Sequence, residues 1–168
     1  MGFFDKLFNK DKQETNSEIT LYSPVTGKVV AAAEIPDPTF ADNILGPCVG
    51  IKPSEGVVYA PCDGKIEQIF RTAHAVTVVS KEGPEILIHV GINTVDLKGE
   101  GFQALVEEGA EVTVGTPLIK FDISLIESKG FNTVVPVVIC NPTDFGDIRF
   151  NGVGPVAAKD ALGSITRK

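Results

Sequence analysis

The sequence predicts an all-β fold, an antiparallel sandwich or barrel with an internal duplication and few short helices. Short runs of β-branched residues alternate with 17 glycines and 11 prolines, which is typical of many short strands joined by turns. The pattern at residues 22–29 recurs at residues 59–66 with the same spacing of tyrosine, proline, glycine and lysine. Apolar residues make up 43% of the 168-residue chain, which is enough for a packed core.

Most of the predicted elements are strands, because they combine β-branched residues with flanking turn residues. They span residues 19–22, 28–32, 49–52, 57–59, 65–70, 75–80, 85–90, 112–114, 118–121 and 133–140. Helical patterns are fewer. Residues 101–108 are predicted to form two helical turns, and residues 122–129 a second short helix with Asp122 as its N-cap.

The N-terminal part of the chain differs in character from the rest. Apolar residues within residues 1–10 repeat at helical spacing, and residues 11–18 are wholly polar. We therefore predict an amphipathic segment and a polar linker over residues 1–18, followed by one β domain over residues 19–168. The amphipathic segment is expected to be either a frayed tail or a weak peripheral membrane contact.

Charge and cysteine content exclude several classes of protein. The net charge of −7 argues against nucleic-acid binding, because phosphates require a basic surface. The longest uncharged stretch, residues 130–143, is shorter than the about 20 apolar residues of a membrane-spanning helix. Charged residues also interrupt the only N-terminal apolar cluster, so no secretion signal is visible. We therefore predict a cytoplasmic protein in which Cys48, Cys62 and Cys140 are reduced core residues.

His74 and His89 are the only histidines of the chain and the strongest candidates for chemistry. They lie on consecutive predicted strands joined by residues 81–84. If the turn centres in the middle of that loop, residue 76 faces residue 89 and the imidazoles are diagonal neighbours on one face. A shift of one residue would place them on opposite faces. Paired imidazoles serve as metal ligands or as a nucleophile with a helper, whereas a lone one is commonly a core histidine.

Several catalytic classes lack their motifs in this sequence. It contains no phosphate-binding P-loop, no G-x-S-x-G nucleophile turn and no H-E-x-x-H zinc motif. A zinc hydrolase normally uses three protein ligands, and Asp37, Asp63 or Asp96 could join the two histidines. The absence of any H-x-H spacing counts against that site.

The residues around His89 resemble a known signature. Residues 83–97 run Gly-x-x-Ile-Leu-Ile-His-Val-Gly-Ile-x-Thr-Val-x-Leu. This is similar to the sequence around the phosphorylated histidine of the glucose-type enzyme IIA family of the bacterial sugar phosphotransferase system. Further matches to that family lie at residues 23–27, 60–64, 72–75, 98–102, 108–115 and 133–139. The resemblance covers about residues 19–142.

The resemblance implies a duplicated β-sandwich and a phosphotransferase that acts through a phosphohistidine. His89 would receive a phosphoryl group from the carrier HPr and pass it to a cysteine on the IIB domain of a sugar permease. His74 matches the second active-site histidine, and Thr72 matches the residue whose hydroxyl orients it. No cofactor is expected to be required, although His74 and His89 are candidate zinc ligands. Regulatory targets are further candidate partners.

The resemblance also implies a docking surface around the histidines. Its expected members are Asp37, Phe40, Ile44, Phe70, Leu87, Asn93 and Val95. Asn93 stands where the family often carries an acidic residue, so we expect the strength and salt dependence of HPr docking to differ. Residues 46–48 also depart from the glycine-rich turn of the family.

Two other functions remain open from the sequence. Residues near 108–118 resemble a hairpin of lipoyl and biotinyl carriers, but Met1 is the only methionine, and biotin carriers flank their lysine with methionines. The second alternative is a regulatory zinc-binding or zinc-hydrolase-like protein of the same fold, with the metal at His74 and His89.

Overall fold

The computed structural model describes residues 17–168. The described residues are mostly antiparallel β-strands, as predicted. The strands are β1 (Glu18–Tyr22), β2 (Gly27–Ala31), β3 (Cys48–Pro53), β4 (Val57–Tyr59), β5 (Gly64–Ile69), β6 (Ala75–Ser80), β7 (Glu85–His89), β8 (Phe102–Ala104), β9 (Glu111–Val112), β10 (Pro117–Phe121), β11 (Val135–Ile139), β12 (Phe145–Phe150), β13 (Gly154–Val156) and β14 (Ala161–Arg167). The predicted amphipathic segment, residues 1–10, lies outside the described residues.

Helical structure in residues 17–168 is limited to short segments. The two α-helices are α1 (Pro38–Ala41) and α2 (Ile123–Ser128). The side chain of Asp122 accepts a hydrogen bond from the Leu125 N–H at 3.0 Å, which confirms the predicted N-cap of α2. Single 3₁₀ turns cover Ala32–Glu34, Thr94–Leu97 and Pro142–Asp144. No helix in this part of the chain is long and apolar enough to cross a membrane.

The strands form one large sheet and two small ones. The large sheet has eight strands in the order β13-β2-β3-β11-β7-β6-β5-β9. The small sheets have the orders β1-β14-β12 and β4-β10-β8. The main apolar core combines buried residues of all three sheets, which makes the fold a sandwich. A second, smaller apolar cluster includes Phe40, Cys48 and Val138.

Strand β7 shows how the large sheet separates these two clusters. Ile86 and Ile88 are fully buried in the main core. Leu87, which lies between them, packs against the smaller cluster instead. Because successive side chains of a strand point to opposite faces, His89 shares the face of Leu87. The histidine therefore projects away from the main core, toward the smaller cluster.

The structure agrees with the predicted internal duplication. The large sheet consists of two four-stranded halves that meet at β11 and β7. Read from the outer edge inward, one half is β13-β2-β3-β11 and the other is β9-β5-β6-β7, so each strand has a counterpart in the other half. The repeated turns also exchange equivalent hydrogen bonds. The Tyr22 N–H donates to the Pro61 carbonyl at 3.0 Å, and the Tyr59 N–H donates to the Pro24 carbonyl at 2.7 Å.

Two expectations from the sequence are wrong. Residues 101–108 are not helical, because Phe102–Ala104 is strand β8 and pairs with β10. Pairing of Phe102 with Phe121 outweighs the local helical spacing, and Gly101, with φ of +86°, bends the chain into that strand. Cys48 and Cys62 are buried as expected, but Cys140 is exposed because it lies one residue beyond β11.

A steric prediction follows from the close approach at Gly64. A Cβ atom at Gly64 would lie 2.1 Å from the Val79 carbonyl oxygen. This oxygen belongs to the backbone, so no side-chain rotation can relieve the clash. We expect Gly64→Ala to lower the free energy of unfolding by about 2 kcal/mol or more. Gly152→Ala is the control, because a Cβ at Gly152 meets nothing within 4 Å. Urea unfolding measures both, and equal midpoints would contradict the prediction.

Candidate active site

The hairpin of β6 and β7 carries the two histidines. Ala75 pairs with His89, so the predicted register, with residue 76 opposite, is wrong by one residue. The reason is the turn. The Ser80 N–H donates to the Pro84 carbonyl at 2.8 Å, which leaves a three-residue loop that ends at Gly83 with φ of +114°. A glycine at positive φ is typical of the last position of such loops.

The shifted register nevertheless keeps the imidazoles together. His74 precedes Ala75, the first residue of β6, so strand alternation does not set the direction of its side chain. Ala73 has a left-handed φ of 56°, which turns the chain just before His74. The ring centroids of His74 and His89 lie 5.0 Å apart, with an angle of 83° between the ring planes. The two rings therefore form an edge-to-face pair.

A single hydrogen bond sets the chemical state of His89. Its Nδ1 atom lies 2.8 Å from the Gly91 carbonyl oxygen. A carbonyl oxygen can only accept, so Nδ1 must carry the proton. In the neutral ring, Nε2 then bears the free lone pair. A free lone pair is what an imidazole nitrogen needs in order to act as a nucleophile.

Backbone geometry brings the Gly91 carbonyl to this position. Gly91 has φ of +80°, a conformation that favours glycine. A Cβ atom at Gly91 would lie 2.5 Å from Thr94 Cγ2 and 2.9 Å from the Asn132 carbonyl oxygen. The site therefore requires glycine here for both backbone conformation and space.

Thr72 holds the ring of His74, whose edge-to-face partner is His89. The Thr72 Oγ1 and the His74 Nδ1 form a hydrogen bond. His74 is only 3% exposed, so its ring has little freedom to leave the site. Thr72 thus fixes the ring of the second histidine.

Burial keeps both imidazoles neutral at pH 7. Burial, and secondarily the neighbouring His89, lowers the pKa of His74 from 6.5 to about 4. Burial also lowers the pKa of His89, and its hydrogen bond to Gly91 and the negative charge of Asp37 oppose that shift. Asp37 is the N-cap of α1 and accepts a hydrogen bond from the Thr39 N–H at 3.0 Å.

Apolar side chains surround the pair. The ring of Phe40 lies 5.2 Å from that of His89, and the ring of Phe70 lies 5.2 Å from that of His74. Ile44, three residues after the end of α1, is 67% exposed, and Val95, in the 3₁₀ turn after Asn93, is 50% exposed. The arrangement suits contact with another protein that excludes water from the imidazoles.

The histidines do not belong to a complete metal site within residues 17–168. In that part of the chain, no three His, Cys, Asp or Glu side chains are arranged to hold a metal ion. A zinc ion at His74 and His89 would therefore need further ligands from outside residues 17–168.

Residues 19–145 match the family described as phosphoenolpyruvate-dependent sugar phosphotransferase system, EIIA 1. The chain belongs to this family. It is therefore a phosphoryl carrier of the sugar phosphotransferase system, an EIIA component, and the zinc alternative is not favoured.

Named relatives agree with this assignment. The chain is 47% identical over 156 residues to the PTS system glucose-specific EIIA component of Bacillus cereus, which covers 93% of each chain. It is 40% identical over 153 residues to the component of the same name from Staphylococcus epidermidis, covering 91% of this chain and 92% of that one. The solved glucose permease IIA from Mycoplasma capricolum superposes with a TM-score of 0.76 at 27% identity. That match covers 88% of this EIIA and 95% of the Mycoplasma chain.

The residues expected at this EIIA site fall into two groups. Thr72, Asp37, Phe40 and Phe70 all interact with one of the imidazoles. Of the rest, Ile44, Asn93 and Val95 are exposed, and Leu87, on the same face of β7 as His89, is half-buried. Asn93 has a left-handed φ of 59° and precedes the 3₁₀ turn that carries Val95.

The structure changes the interpretation of two residues. Phe40 is 4% exposed, so it supports His89 from beneath and offers little area to a partner. Leu45, which the sequence does not single out, is 43% exposed beside Ile44 and extends the apolar surface. Exposure of neighbouring apolar residues in a loop has no periodic signal, so Leu45 could be found only from the structure.

The lowered pKa of His74 predicts a pH dependence of stability. Its folded pKa of about 4 lies below the ordinary 6.5, so the unfolded chain binds more protons between these values. The free energy of unfolding should therefore fall as the pH is lowered from 6.5 to 4. NMR titration should give a His74 midpoint near 4, and His74→Gln should weaken the pH dependence of the urea midpoint. A His74 midpoint near 6.5 would contradict the prediction.

Proposed function

We propose that Nε2 of His89 accepts a phosphoryl group from the phosphohistidine of HPr and passes it to a cysteine on the IIB domain of a sugar permease. The observation that carries this proposal is the hydrogen bond between His89 Nδ1 and the Gly91 carbonyl, which leaves Nε2 free. The proposed setting is the cytoplasm, and no cofactor is required. The glucose-specific relatives make a glucose permease the first candidate.

The proposed acceptance step involves only nitrogen–phosphorus bonds. The Nε2 lone pair of His89 forms a new N–P bond while the N–P bond of phospho-HPr breaks. The electron pair of the broken bond returns to the imidazole of HPr. Positive charge develops on the His89 ring as its lone pair is donated. The Gly91 carbonyl and the Asp37 carboxylate both favour that charge, because each raises the pKa of His89.

His74 is proposed to hold the phosphoryl group after transfer. A Thr72 hydroxyl that donates to Nδ1 of His74 would leave the proton on Nε2 of a neutral ring. That N–H can donate to a phosphoryl oxygen, since the two rings are 5.0 Å apart between centroids. A neutral donor holds the dianion without trapping it as a fixed cation would, which suits a carrier that must release its cargo.

The exposed apolar surface is the proposed docking site for both HPr and IIB. Ile44, Leu45, Phe70 and Val95 are each at least 37% exposed. Covering them excludes water, so the phosphoryl group passes to the partner and is not hydrolysed. Because the donor and the acceptor use one surface, they must bind in turn. The same surface is available to regulatory targets. A carboxylate of such a partner could complete a zinc site with His74 and His89.

Intact mass identifies the acceptor. Wild-type protein, His89→Ala and His74→Ala are incubated with purified phospho-HPr in the presence of a chelator. We expect one acid-labile phosphoryl group on the wild type and on His74→Ala, and none on His89→Ala. His74→Ala should pass that group to IIB about 100-fold more slowly, because a hydrogen-bond donor to the moving charge is lost. Phosphorylation of His89→Ala, or a metal requirement, would contradict the proposal.

A charge prediction concerns Asn93. If HPr presents a cation to this surface, Asn93→Asp adds one exposed ion pair, worth at most about 1 kcal/mol. We expect about two- to fivefold tighter binding of HPr at low ionic strength, with a steeper loss of affinity as salt is added. Gln103→Glu is the control, because it adds the same charge at an exposed position on β8. Equal affinities and salt dependences for wild type and Asn93→Asp would refute the prediction.

A further inference from the structure

Thr94 is a buried polar residue beside the site to which the proposed mechanism gives no role. It is fully buried, and its Oγ1 donates a hydrogen bond to the Val90 carbonyl oxygen. Val90 lies between His89 and Gly91, the two partners of the hydrogen bond that sets the state of His89. The hydroxyl of Thr94 is thus attached to the backbone that joins the nucleophile to its carbonyl acceptor.

Thr94 completes the fixation of one peptide group. The carbonyl of the Val90–Gly91 peptide is held by Thr94, and its N–H donates to the Val134 carbonyl at 2.9 Å. The Val90 N–H, in turn, donates to the His74 carbonyl at 2.7 Å. The acceptor carbonyl belongs to the next peptide, Gly91–Ile92, whose N–H donates to the Asn132 carbonyl at 3.0 Å. Thr94 and Val134 hold the peptide before Gly91, and Asn132 holds the one after it, so the Gly91 carbonyl is directed at the His89 ring from both sides.

The methyl group of Thr94 packs against the backbone of Gly91. A Cβ atom on Gly91 would lie 2.5 Å from Thr94 Cγ2, so the methyl group closes the space beside the Gly91 Cα. Glycine would otherwise have wide backbone freedom at this point. The hydroxyl of Thr94 holds the peptide before Gly91, and the methyl group of Thr94 limits displacement of Gly91 itself.

We propose that Thr94 is a positioning residue whose hydroxyl, through the Val90–Gly91 peptide, fixes the tautomer of His89 that leaves Nε2 as the nucleophile. Without the hydroxyl, the Val90 carbonyl loses this partner, and the peptide is held only through the Gly91 N–H, about which it can tilt. The Gly91 carbonyl then no longer holds the proton on Nδ1, and the tautomer with Nε2 protonated becomes populated. That tautomer has no lone pair at Nε2 to donate to phosphorus.

The tautomer of His89 can be read directly by long-range ¹H–¹⁵N NMR of the free protein. We expect the Nδ1–H tautomer in the wild type and in Thr94→Ser, which keeps the hydroxyl. We expect a mixture of tautomers in Thr94→Val, which has a similar shape but no hydroxyl. Ser23→Ala is the matched control, because Ser23 is also fully buried and its hydroxyl donates to the Val25 carbonyl at 2.7 Å. It should leave the His89 tautomer unchanged.

The rate of phosphorylation by phospho-HPr provides a second readout, and only this arm rests on the proposed function. We expect Thr94→Val to lower the maximal rate about 10-fold or more with little change in the KM for HPr, because the docking surface is untouched. Thr94→Ser should restore most of that rate. Loss of rate through general destabilisation would affect Ser23→Ala as well.

Several results would overturn the role of Thr94. They are a wild-type tautomer in Thr94→Val, equal behaviour of Thr94→Ser and Thr94→Val, or an Nε2–H tautomer in the wild type itself. The last result needs no variant, and if Thr94→Val does not fold, Thr94→Ala replaces it as the variant without the hydroxyl. Phosphorylation at a residue other than His89 would instead refute the proposed function, while the NMR measurement on the free protein would still test Thr94.

Discussion

The hydrogen bond from His89 Nδ1 to the Gly91 carbonyl is the interaction on which the rest of the site depends. It decides which ring nitrogen keeps a free lone pair, and it requires a carbonyl turned back toward the preceding side chain. Such a turn immediately after β7 needs the positive φ of Gly91 and the absence of a Cβ. Thr94, Val134 and Asn132 all contact this turn. The fold therefore provides rigid backbone where a single proton must be kept in place.

The two halves of the large sheet share a backbone arrangement, but only one half carries the two histidines. The Val90 N–H donates to the His74 carbonyl, and its counterpart in the other half is the Ile139 N–H, which donates to the Pro47 carbonyl. Proline thus occupies the place of His74. The connections differ too: β5 and β6 are joined by a short turn, whereas α1 lies between β2 and β3. That longer connection brings Phe40 and Asp37 to His89, so the asymmetry is what completes the site.

The fold class and the proximity of the two histidines could be predicted from the sequence because each has a strong local signal. Turn residues mark the strands, and the segment around His89 resembles a known family. The hairpin register could not be predicted, because residues 81–84 can close with two loop lengths, and the positive φ of Gly83 that goes with the three-residue loop is seen only in the structure. Strand β8 was missed because pairing with β10 overrides local helical spacing. The hydrogen bond of Thr94 depends on the positive φ of Gly91 and is invisible as a spacing.

The environments of the two imidazoles differ in how each one tolerates positive charge on its ring. Burial lowers the pKa of both, but only His89 has two features, the Gly91 carbonyl and the Asp37 carboxylate, that favour positive charge on its ring. His74 has burial and a neighbouring imidazole, both of which disfavour positive charge and lower its pKa to about 4. Donating a lone pair to phosphorus places positive charge on the donor ring, and this favours His89 over His74 for the proposed nucleophile. A ring that stays neutral suits the role proposed for His74, that of a reversible hydrogen-bond donor to a phosphoryl dianion. Two chemically identical side chains in contact are thus suited to different proposed roles by unequal surroundings.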